Sequence, residues 1–234
     1  MCPFIGAYEL LNNKKRWCVW LKDISPKKIK ENQIIYNKVL AVQDWRKKSN
    51  RQNTVLLADT PTLFAEIRQP NTNYLAIPTV SSEKRKYIPI AYLLKNIIAS
   101  NQIYVVPNAS IYHFGVLTSN VHMAWMRAVC GRLETRYRYS SKVVYNTFPW
   151  CEPTDEQKAR IEETAQAILD ARALYPDCSL ADLYDELTMP PELRKAHQLN
   201  DKAVMQAYGF WGKINTESEC VAELMKMYQK LTSK

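Results

Sequence analysis

With 234 residues, 47% apolar and 24% charged, the chain has the balance of an ordinary globular protein, with room for one large domain or two small ones. Its five glycines, none at GxGxxG or Walker spacing, exclude collagen-like and glycine-linker designs and most phosphate-cradling loops. The net charge of +9 is unevenly spread: residues 1–150 hold 22 Lys and Arg against 8 Asp and Glu, a net of +14, and residues 151–234 hold 10 against 15, a net of −5.

Taken in chain order, a short β-like run at 17–21 precedes a helix opened by Ser25-Pro26, a good N-cap followed by proline at the first helical position. Apolar residues from Ile29 to Trp45 recur at helical spacing to about residue 48. Strand candidates bounded by Pro or Asn follow at 54–57, 74–77, 87–90 and 103–106. Ser119 can cap a second helix through Val129. Phe148-Pro149-Trp150 closes this mixed unit, and the rest reads as helical. Thr154 with Gln157 fits a capping box for a helix to about Leu174, and Ser179 with Asp182 caps a short one to about Leu187. Pro190-Pro191 starts another that ends near Gly209, and Thr216 with Glu219 opens the last. The expected class is α+β: a mixed α/β basic domain over 1–150 and a small, acidic, all-helical domain over 151–234.

A +14 module predicts a polyanionic partner, most commonly nucleic acid; the alternative is a basic surface that only aids solubility. No apolar run reaches the roughly 18–20 residues that span a bilayer, and the N-terminus has no signal-peptide pattern, so a cytoplasmic chain without membrane contact is expected. The six scattered cysteines form no CxxC pair and read as buried thiols, with no metal site.

No catalytic centre is expected. The three histidines, His113, His122 and His197, lie in no HExxH or HxE pattern, and His122 beside Met123 and Trp125 reads as structural. Acidic residues in the first module form no two-metal set, and Glu66 reads as an ion-pair partner of a nearby Arg or Lys. Three basic clusters suit DNA better, each with a solvated charged face as its alternative. The first holds Lys84, Arg85 and Lys86. The second is the helix from Ser119 to Arg127, with Asn120 and His122 at its N-terminal end, where free amides suit phosphate or groove contact. The third holds Arg132, Arg136, Arg138, Ser140 and Lys142; alternating Arg and Tyr on an extended segment puts the arginines on one face, free to hold phosphates or read guanine edges.

Several strings also match one family in order. They are Phe114-Gly115-Val116-Leu117-Thr118-Ser119, His122-Met123-Ala124-Trp125-Met126-Arg127, Arg136-Tyr137-Arg138-Tyr139-Ser140 and Val144-Tyr145-Asn146-Thr147-Phe148-Pro149-Trp150. Arg16-Trp17-Cys18-Val19-Trp20-Leu21 upstream and Met189-Pro190-Pro191-Glu192-Leu193-Arg194 downstream extend the match. The chain resembles the C-terminal half of MmeI-type DNA methyltransferases, single-chain restriction–modification enzymes that methylate adenine. The resemblance implies a target recognition domain followed by a helical C-terminal domain. It places a nuclease, a helical connector and an S-adenosylmethionine-dependent methyltransferase core upstream, so this chain is expected to be a fragment that holds no cofactor itself. Its implied partners are double-stranded DNA and the upstream methyltransferase core of the same polypeptide. Base reading is implied near the helix after Ser119, which points to Asn120 and His122. The alternative is a protein- or RNA-binding module that uses the basic face.

Overall fold

The computed structural model describes residues 1–233. The α+β class holds. Residues 1–150 build three small sheets, the two longest strands running through β-branched and aromatic residues, Tyr74-Leu75-Ala76-Ile77 and Ile103-Tyr104-Val105-Val106. Strand β1 (Cys2–Ile5) pairs with β2 (Trp17–Cys18) antiparallel and with β6 (Ile98–Ala99) parallel. The central sheet puts β3 (Tyr74–Pro78) between β5 (Ala91–Leu93) and β7 (Ile103–Pro107), antiparallel to both. The third sheet runs β4 (Val80–Ser81), β9 (Arg136–Arg138), β8 (Gly131–Leu133). Helices α1 (Ala7–Leu11), α2 (Pro26–Glu31), α3 (Gln33–Lys47), α4 (Gln52–Leu56), α5 (Ile111–Leu117) and α6 (Asn120–Val129) complete this unit. The acidic part is α7 (Asp155–Ala173), α8 (Leu180–Leu183), α9 (Pro191–Ala207) and α10 (Glu217–Thr232).

Four sequence expectations change. The helix expected over 25–48 is two helices, because the Asn32 side chain accepts the Ile35 N–H and starts a second one. Residues 54–57, expected extended, form α4 and a 3-10 turn at Leu57–Asp59. The buried Arg46 guanidinium explains this: it donates to the carbonyls of Leu57, Thr60 and Leu63 at 2.8, 2.9 and 2.8 Å, curling the chain around itself. Residues 87–90 are buried but irregular, and the strand begins only at Ala91. The short helix capped at Ser179 ends at Leu183, where Tyr184 takes a non-helical conformation.

One apolar core runs through both charge units. It joins Phe114, Trp125 and Phe148 to Ile161, Ile168, Leu193, Val204 and Leu224. Helix α5 crosses α7 at Gly115, where a Cβ would sit 2.7 Å from Ile161 Cγ2 and 3.0 Å from Ala165 Cβ. Beside this crossing Asn200 Nδ2 donates to the Gly115 carbonyl at 2.8 Å, and Thr164 Oγ1 meets Asn200 Oδ1 at 3.2 Å.

Candidate nucleic-acid interface

The β8–β9 hairpin carries the third cluster. Its register sets Gly131 opposite Arg138 and Leu133 opposite Arg136. Strand alternation sorts the side chains as the sequence predicts: Arg136 and Arg138 are exposed, whereas Tyr137 and Tyr139 are buried. Arg132 covers the Tyr137 ring at 4.0 Å, and Arg136 pairs with Glu134 at 2.8 Å. Among the described residues Arg132, Arg138 and Lys142 have no carboxylate within ion-pair distance. Three exposed cations without counter-charge repel one another, and an external anion relieves that repulsion. Beside the hairpin lies a cleft of about 830 Å³ whose wall includes Ser140 and Lys142. Sequence reasoning missed this cleft, because its other wall, Tyr104 to Pro107, comes from β7 and is distant in the chain.

The other two clusters do not form this surface. Ser119 and His122 have no exposed surface, so neither can touch a duplex, which corrects the DNA contact expected of them. Ser119 accepts the His122 N–H and donates to the Val116 carbonyl at 2.7 Å, both helix-capping tasks. Burial pushes His122 down to about 3, so it is neutral, and it shares a 3.0 Å hydrogen bond with the Tyr139 hydroxyl. The helix N-terminus is likewise occupied, since the Asn120 N–H donates to Asp201 Oδ1 at 2.7 Å. Arg127 donates to both Glu217 oxygens at 2.7 and 2.8 Å and to the Lys86 carbonyl at 3.1 Å. Arg85 is half-buried, which lowers its pKa against the opposing pull of Asp185. Lys84 and Lys86 remain exposed, with the Lys86 ammonium 5.3 Å over the Tyr87 ring. Asn120, Arg127, Arg85 and Lys86 thus serve the seam between the two charge units. Glu66 pairs with Arg68.

That seam is polar. Asp201 on α9 accepts the Tyr87 hydroxyl at 2.7 Å besides the Asn120 N–H. The Tyr87 ring stacks on His197 with centroids 4.1 Å apart. Arg172 Nε donates to the Tyr184 hydroxyl at 2.9 Å, which meets His197 Nε2 at 2.7 Å. Burial pushes the Asp201 carboxyl up to about 6, while the Tyr87 and Asn120 hydrogen bonds and the Lys86 and Arg127 charges pull it down. An acid raised in the folded state stabilises the fold most below its unfolded pKa, near 4. That contribution is lost as pH rises toward 6 and amounts to roughly 2–3 kcal/mol. Asp201→Asn keeps an acceptor for Asn120 and a partner for Tyr87 without a buried charge. The expected result is a variant that melts above the parent at pH 7, with a difference that vanishes near pH 4. Melting curves at half-unit pH steps check this, and parallel profiles would refute it.

No group of three or more His, Cys, Asp or Glu among the described residues could hold a metal ion, and no described helix is long and apolar enough to cross a membrane. The 830 Å³ cleft does not fit S-adenosylmethionine: its lining has cations but no carboxylate for the ribose hydroxyls or the sulfonium.

Comparison with known proteins gives a consistent result. Residues 1–152 match the family model of the MmeI target recognition domain, and residues 153–234 match that of the MmeI C-terminal domain. The chain is 40% identical over 231 residues to DNA methyltransferase A of Bacillus subtilis (strain 168), covering 99% of this chain and 26% of that protein. It is similar, at 49% identity and a TM-score of 0.96, to the Type IIL restriction–modification enzyme MmeI, solved in complex with DNA; the match covers 100% of this chain and 31% of that one. The chain therefore spans about a quarter to a third of these relatives.

Proposed function

Because the chain belongs to the MmeI family, as a target recognition domain followed by a C-terminal domain, we propose that it is the sequence-specific, double-stranded DNA recognition module of a restriction–modification methyltransferase. That enzyme methylates adenine at N6 with S-adenosylmethionine, and both the cofactor and the reaction belong to a methyltransferase core outside these residues. The module works in the cytoplasm, joined to that core in one polypeptide.

The observation that carries this reading is the exposed arginine face of the β8–β9 hairpin. A two-stranded ribbon fits the major groove, where an arginine can bond guanine O6 and N7 together. Arg136 and Arg138 stand on the outward face of such a ribbon. Lys142, Ser140 and Arg132 flank them and suit the neighbouring phosphates. Helices α7 and α9 pack against α5, and α10 packs against α6; among the described residues no ion pair joins the hairpin to the acidic helices. Arg127 and Glu217 close the gap between the two units.

The chain is expected to bind a mixed-sequence duplex with an affinity that falls steeply as salt rises, log K dropping linearly with log salt. Fluorescence anisotropy between 50 and 200 mM salt, roughly the range over which such contacts lose most affinity, checks this. Single-stranded RNA or an acidic polypeptide that outcompetes the duplex would overturn it in favour of an RNA- or protein-binding module.

A further inference from the structure

The cleft beside the hairpin differs from the rest of the basic surface. It is concave, and its lining is mostly apolar, with β7 on one side and the 139–146 segment on the other. Tyr104, Tyr139 and Tyr145 contribute aromatic wall, Lys142 contributes a cation without a carboxylate partner among the described residues, and Arg68 contributes a guanidinium paired with Glu66. Tyr139 is fixed by its hydrogen bond to the buried His122. The Tyr104 ring leans on it at 6.0 Å. Lys142 is exposed, and three residues of chain separate it from Arg138 on the groove-facing strand. The 141–145 segment is one turn of π-helix, a rare conformation often found at functional sites. It is pinned from behind by Trp125, whose Nε1 donates to the Val144 carbonyl at 3.2 Å.

A paired base cannot enter such a cleft, because the duplex is too wide and its bases are stacked inside it. A base already out of the stack can enter. Aromatic walls with cations alongside bind an unpaired base by stacking and its phosphate by charge, without need of a particular sequence. A space of about 830 Å³ lies within the usual range for small-ligand sites.

We propose that the cleft between β7 and the 139–146 segment binds one unpaired nucleotide of the DNA held by the hairpin, its base against Tyr104 and Tyr145 and its phosphate on Lys142. This rests on the DNA-recognition reading above and adds a second subsite to it. The site gives the module a preference for DNA that is locally distorted, where extruding a nucleotide costs least.

The test compares two duplexes of one sequence, fully paired or with a single unpaired thymidine, binding to the 234-residue chain. The expected result is about tenfold tighter binding of the bulged duplex, the scale of one base stacking on an aromatic ring. Tyr104→Ala with Tyr145→Ala brings the ratio of the two affinities to near one, and the double Phe variant, which keeps the rings, restores it. Lys142→Ala, a change at an exposed side chain that leaves the fold alone, lowers the ratio too. A 2-aminopurine placed at the bulge is expected to be quenched on binding to the parent and the Phe variant, but not to the Ala variant. Equal affinity for both duplexes, or a preference that survives loss of the rings, overturns the subsite. If paired-duplex binding stays intact and salt-dependent in that case, the recognition reading stands; loss of all duplex binding sinks both.

Discussion

Replacing Arg132, Arg138 and Lys142 together with alanine is expected to weaken duplex binding by about 100-fold at low salt. Each is an exposed cation without a carboxylate partner among the described residues, so removing it breaks no internal ion pair. A hydrogen bond to a charged group contributes on the order of 1 kcal/mol or more, and three such losses multiply to about that factor. The salt dependence sharpens the test. Each neutralised phosphate contributes about 0.9 to the slope of log K against log salt, so the triple variant, which loses the phosphate contacts of Arg132 and Lys142, should lose nearly two units of slope. Melting temperature should barely change, because surface substitutions of this kind fall within about 0.5 kcal/mol. An unchanged slope would remove the hairpin face from the interface. By contrast, Arg127→Ala should destabilise the fold, because that guanidinium is bound to Glu217 and the Lys86 carbonyl.

The largest stability effect is expected at Gly115. Gly115→Val adds a branched side chain where even a Cβ would lie 2.7 Å from Ile161, 3.0 Å from Ala165 and 3.1 Å from Asn200 Oδ1. Ile161 and Ala165 are fully buried on α7, so relief requires α5 and α7 to separate. Separation also loosens the Asn200 hydrogen bond to the Gly115 carbonyl. Overpacking costs about 1–3 kcal/mol and the hydrogen bond about 1 more. For a chain of this length that lowers the melting temperature by about 6–12 °C. Gly131→Ala is the control: nothing lies within 4 Å of its added Cβ, and the melting temperature should hold. A Gly115→Val protein that melts like the parent would refute the close approach of α5 to α7 at this position.

The helix starts were the most legible part of the chain. Ser25, Ser119, Thr154, Ser179 and Thr216 each accept an N–H three residues on, because a cap is a local interaction that residue types alone announce. The Arg-Tyr alternation at 136–139 was legible for the same reason. What escaped depends on distant partners. Residues 54–57 read as a strand until Arg46 gathers their carbonyls, and α5 was hidden by Gly115, a poor helix former selected by the neighbour it touches. The hairpin turn was hidden too, since Glu134 takes φ +58° without the Asn-Gly or Asp-Gly that advertises such a turn. His122 and Arg127 looked like DNA contacts because nothing beside them in sequence reveals that Tyr139 and Phe148 cover the one and α10 holds the other. Glu217 lies 90 residues beyond Arg127.

The shared core has a further consequence for how such proteins can be recombined. Family boundaries divide the chain after residue 152, and a graft cut there would carry Phe114 and Trp125 into a foreign host while leaving Ile161, Leu193 and Leu224 behind. It would also strand Asp201 from Tyr87 and Glu217 from Arg127. The transplantable cassette is therefore the recognition domain with its helical tail. A donor's DNA preference travels intact only when both halves of the seam move as one piece.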